Sequence, residues 1–154
     1  MLATLGAAAV PLLAQTLPDV TSDLYYLSLR ACLQAEAQRN KKPVSASSDT
    51  VVINDQRLTR FFPSLIDTLR IEYLDYEGLK RRYSRLKVQF PAIGLEPIRN
   101  EGKLLIVRCT SYRIGVRSRK LILGVVDGWD ISWQYDTATD KFAIADVKRW
   151  WLQM

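Results

Sequence analysis

The last third of the chain constrains its fold most. Residues 103–116 (KLLIVRCTSYRIGV), 120–135 (KLILGVVDGWDISWQY) and 141–151 (KFAIADVKRWW) are long β-prone runs separated by short polar stretches. Consecutive strands joined this closely pair as an antiparallel meander, because a parallel connection needs a crossover of about a dozen residues or more. Asp136-Thr137-Ala138-Thr139-Asp140 suits the loop of the last hairpin. Ahead of them, residues 87–98 (KVQFPAIGLEPI) read as a strand punctuated by Pro91 and Pro97, which places it at an edge or at a bulge.

The first half is helical at its start and mixed afterwards. Residues 19–38 carry Leu24, Leu27, Leu29, Ala31, Leu33 and Ala37 as an apolar stripe, with Thr21, Ser22 and Asp23 as capping candidates, and predict a helix of about four turns. A polar, Ser-rich connector follows over residues 39–49. Residues 50–53 are β-prone, and Asn54-Asp55 after them suits the turn of a small hairpin. Leu69, Ile71 and Tyr73 alternate with Arg70, Glu72 and Leu74, as in a strand. The period then changes to four and three at Leu79, Tyr83 and Leu86, with Asp75 at the N-cap of a short helix.

Composition bears on compartment and chemistry. At 154 residues, 48% hydrophobic and 25% charged, the chain suits one globular domain with a single core. The net charge is +6, yet nothing basic precedes Arg30. Residues 1–18 hold no charge at all, and Leu2 to Ala14 has the length of a signal-peptide apolar core, too short to span a bilayer. A basic stretch before it is missing, and an Ala-rich first helix interrupted by Pro11 is the other reading. The domain is therefore expected over residues 19–154, after a leader, in a secreted or periplasmic protein, or in a cytoplasmic one if the apolar run is structural. Stable membrane insertion is not expected. Cys32 and Cys109 could pair after export, or sit in a core as reduced apolar residues. The absence of histidine removes Ser-His-Asp and Cys-His nucleophiles and every His-based metal site, and two thiols alone cannot build a structural zinc site. No metal or cofactor is expected.

A long first helix, a small middle region, the helix-to-strand passage Tyr76 to Phe90 and long antiparallel strands to the C-terminus, with Asp140-Lys141-Phe142-Ala143-Ile144 opening the last one, resemble the nuclear-transport-factor-2-like superfamily. This cone-shaped, cystatin-like α+β fold also houses ketosteroid-isomerase-like and polyketide-cyclase-like proteins. The resemblance covers roughly residues 20–151. It implies a curved antiparallel sheet wrapped around a long N-terminal helix and a short second helix, a ligand pocket in the cone, and homodimers formed through the sheet. It also implies that a carboxylate facing the cavity could act as a base beside tyrosine donors, given an apolar pocket to raise its pKa.

Several residues are candidates for such a site. Asp75, Asp127 and Asp130 are the acids, and Tyr73, Tyr112 and Tyr135 the donors; the ordinary alternatives are an N-cap for Asp75, a turn or bulge for Asp127 and solvent for Asp130. Trp129, Ile131, Trp133 and Tyr135 share one strand face. Core packing is the first expectation for that face, and a wall for a small apolar ligand, formed by Trp129, Trp133 and Tyr135, the second. Basic residues cluster at Lys80, Arg81, Arg82, Arg85 and Lys87, and again at Arg113, Arg117, Arg119 and Lys120. If the clusters converged they would suit an acidic partner, but the chain has no nucleic-acid motif and no phosphate-binding loop, and nucleic acid is not expected. Three roles follow: a binding or dimerising domain, an isomerase- or cyclase-type enzyme, or an adaptor.

Overall fold

The computed structural model of the chain describes residues 23–40, 50–59 and 62–152, and the expected leader lies outside them. Helix α1 (Leu24–Asn40) starts where the Asp23 carboxylate accepts the N–H groups of Tyr25 at 2.7 Å and Tyr26 at 3.4 Å. Strand β1 (Thr50–Ile53) leads into a single helical turn, α2 (Gln56–Thr59), rather than the expected hairpin. The side chain of Asp55 accepts from the N–H of Arg57, and that of Asn54 accepts from the Thr59 hydroxyl, so the polar pair serves a helical turn. Strands β2 (Leu65–Ile66) and β3 (Leu69–Leu74) form a small hairpin. Helix α3 (Tyr76–Leu86) lies where the spacing predicts it, with Asp75 accepting from the Gly78 N–H at 2.7 Å and Lys87, at φ 58°, closing its end on the Tyr83 carbonyl. Strands β4 (Phe90–Leu95), β5 (Arg99–Glu101), β6 (Leu104–Arg117), β7 (Lys120–Asp136) and β8 (Lys141–Trp151) complete the chain. No helix among the described residues is long and apolar enough to cross a membrane.

The strands form one curved, unclosed sheet in the order β2-β3-β1-β4-β6-β7-β8, with β5 also on β6. From β4 onward it is the expected antiparallel meander. The first half corrects the expectation of a wholly antiparallel sheet: β1 lies between β3 and β4 and runs parallel to both, which makes the sheet mixed. The crossover from β3 to β4 through α3 is long enough to bring the chain back in the same direction on the other side of β1. Strand β4 is consequently interior, not an edge. It tolerates Pro91 because its ladder to β1 is a single bridge, Val52 to Ile93, away from the proline.

Strand alternation sends the two long helices to opposite faces. Val52, Ile71 and Ile93 point to the side that receives Leu29 and Leu33 of α1, and Val107, Ile131 and Trp133 continue that side around Cys32. Val51, Phe90, Ala92 and Ile114 point the other way and enclose Leu79 of α3. Cys32 and Cys109 are free thiols with no exposed surface. A hydrogen bond with Cys32, and then burial, pushes the Cys109 thiol well above its ordinary value.

A second tie holds α1 at its outer side. Arg30 binds Asp67, in the β2–β3 turn, at 2.8 Å, and Gln34 donates to the same carboxylate at 3.1 Å. The Arg30 bond holds the Asp67 carboxyl below its usual range, so its stabilisation is complete above about pH 4 and is lost as the pH falls through the lowered value. Asp67→Asn is expected to lower the unfolding midpoint at pH 6 by more than at pH 2. An unchanged difference across that range would show that the ion pair contributes nothing.

Candidate functional site

A cavity of about 630 Å³ opens beside α1. Its size is that of small-molecule sites, which span roughly 300–1,000 Å³. Its apolar floor on the α1 side is Leu33 from α1, Leu69 from β3 and Ile93 from β4, with Ala92 of β4 reached from the other face of the sheet. These side chains are fixed from behind by the cores on both faces of the sheet.

Ionised groups surround that floor. On α1, one turn beyond Leu33, Glu36 accepts from the Trp129 indole N–H at 2.8 Å and from Arg39 at 2.9 Å. On the sheet, Asp127 is buried and bound by Arg149 of β8. A bulge places it there, because Ser111 pairs with Asp127 and Tyr112 with Val125, leaving Val126 without an opposite residue on β6. Arg82 reaches in from α3, bound to Glu72, with its guanidinium carbon 5.4 Å from the centre of the Phe90 ring. Arg113 of β6 also lines the cavity and borders a neighbouring groove of about 440 Å³ with Arg117 and Ile122.

The structure brings few of the sequence candidates together. Asp75 is an exposed N-cap. Asp130 lies on the opposite face of the sheet from α1, where both its oxygens accept from Arg108 at 2.7 and 2.8 Å. Tyr73 is a core residue: its hydroxyl donates to the Pro63 carbonyl at 3.0 Å, and burial raises its pKa. Tyr112 and Asp127 both line the cavity, but strand alternation starts them from opposite faces of the sheet. Burial, followed by the charge of Glu96, raises the Tyr112 pKa.

The aromatic face divides three ways. Trp133 is 3% exposed and donates to the Ser28 hydroxyl at 2.8 Å inside the core. Trp129 is half-buried against α1, donates to Glu36 and pairs across the ladder with Arg149. Tyr135 is exposed, packs edge-on to Phe142 and is bound to Asp140. None of the three lines the large cavity.

The basic clusters meet only in part. Lys80 pairs with Glu77 at 3.7 Å, and Arg81, Arg85 and Lys87 are exposed on or just beyond α3. Arg113 and Arg117 start from the α1 side of the sheet, and Arg119 and Lys120 lie at the hairpin tip. Arg82 and Arg113, one from each set, both line the large cavity, while the other members lie on or just beyond α3 or toward the β6–β7 hairpin tip. The cavity residues Glu36, Arg39 and Arg149 carried no signal in the sequence, since each belongs to a different segment and only the fold gathers them.

No known family model, curated protein or solved structure matches the chain significantly, so fold and site rest on the residues themselves.

Proposed function

We propose that the chain is a binding domain that holds a small, largely apolar molecule in the cavity beside α1. The apolar floor of Leu33, Leu69 and Ile93, in a space of about 630 Å³, carries this reading. A neutral, environment-sensitive dye such as Nile red should bind at one site per chain. Ser111→Trp, which fills the cavity from a half-buried position on its wall, should remove binding, whereas Ser111→Ala should keep it. Unaltered dye binding in a folded Ser111→Trp protein would sink the proposal.

A second reading, the dimerising scaffold, has its own observation. Tyr135, Phe142 and Ile144 are each more than 40% exposed at the end of β7 and along β8, which is an edge strand. Exposed apolar side chains beside an open edge suit pairing with a second copy. Sedimentation equilibrium should then show a dimer that Ile144→Glu converts to monomer. The resemblance to the nuclear-transport-factor-2-like cone belongs to the same proposal. A long N-terminal helix against a curved sheet with an antiparallel second half supports it, and the parallel placement of β1 with α3 on the opposite face stands apart from it.

A further inference from the structure

We infer that the ligand of this cavity is an anionic amphiphile, with a carboxylate-type head held by arginine and an apolar body lying on the floor. The inference rests on the cavity being a ligand site and adds the chemistry of its occupant.

Charge around the lining is unbalanced. Four guanidiniums, those of Arg39, Arg82, Arg113 and Arg149, line the cavity, and the carboxylates that engage them are Glu36, Glu72 and Asp127. Arg113 is the one left over: among the described residues no carboxylate pairs with it, although it stands at the wall between the cavity and the Ile122 groove. A cationic fork beside a low-dielectric apolar floor favours a planar anion, which it can bind through two parallel hydrogen bonds.

A second observation points the same way. Of the three buried side-chain donors without a partner among the described residues, two are the Nε groups of Arg82 and Arg149. A buried cationic donor left unmade is costly. Arg82 starts from the α3 side of the sheet, so of the two it is Arg149, on the α1 side with Arg113, whose cost an anion there would offset. The acids present are already engaged, so a cationic ligand would meet an excess of like charge. A neutral apolar ligand would use the floor and leave Arg113 unpaired.

The test compares three probes of equal chain length, dodecanoate, dodecanol and dodecyltrimethylammonium, by calorimetry on the full chain at low salt. Dodecanoate should bind about tenfold or more tightly than dodecanol, as a charge-assisted pair predicts, and the ammonium should bind most weakly. Arg113→Gln should lower dodecanoate affinity about tenfold, to that of dodecanol, and so abolish the preference; Arg113 is exposed and makes no ion pair, so the fold should persist. Equal binding of acid and alcohol, or an acid preference that survives Arg113→Gln, would overturn the inference while leaving the cavity reading intact. Failure of every probe, Nile red included, would remove both.

Discussion

Trp133→Ala is expected to destabilise the protein by about 3–5 kcal/mol, the usual cost of truncating a buried aromatic side chain. Trp133 packs with Cys32, Val107, Cys109 and Ile131, and its loss would also leave the Ser28 hydroxyl buried without its indole partner. Against a total stability of roughly 5–15 kcal/mol, such a loss takes away a large fraction of the folded state's margin. Two places along the strand, Tyr135→Ala should cost much less, because Tyr135 is 45% exposed. Chemical denaturation of the two variants measures the contrast. Similar losses at both sites would mean that Trp133 is no core residue.

Gly128→Ala should produce the other large effect, about 1–3 kcal/mol, as overpacking does where the neighbours cannot yield. A Cβ at this position would stand 2.3 Å from the Cys109 carbonyl oxygen and 2.6 Å from the Trp150 ring. The first neighbour is backbone within the β6–β7 ladder and cannot move without breaking it. The second can move, but only by leaving the Arg108 guanidinium, whose carbon lies 4.7 Å from its ring centre, and Arg108 is itself fixed to Asp130. Hydrogen exchange should therefore rise first along β8, the strand that carries Trp150. Uniform protection in a stable Gly128→Ala protein would contradict this account.

Much of the fold is legible where the local signal is long. Residues 104–151 show sustained β character with polar loops between, and α3 announces itself through Asp75 and the spacing of Leu79 and Tyr83. The position of β1 is illegible for a physical reason: a four-residue strand with Val51 buried toward one face and Val52 toward the other is too short a run to name a partner. Asn54-Asp55 misleads because the same side chains that favour a hairpin turn also cap a helical one. The candidate site was least visible. Asp127 was a candidate acid with a turn or bulge as its ordinary alternative, and Arg149, its partner on the next strand, had no mark at all. Asp130 attracted notice as an acid among tryptophans, but alternation turns it to the other face, where Arg108 satisfies it.

The placement of β1 between β3 and β4 also sets an order of assembly. The hairpins of β6, β7 and β8 can zip from local contacts, whereas β1 needs partners that begin at Leu69 and end at Leu95. Closing those loops costs entropy before any contact repays it, so the central strand is among the slow steps of folding. On a ribosome adding about 5–20 residues each second, α1 and β1 emerge seconds before β4 can cover them. The apolar faces that later wall the cavity are thus exposed in the nascent chain, and a chaperone that shields short apolar segments would speed maturation most at this stage.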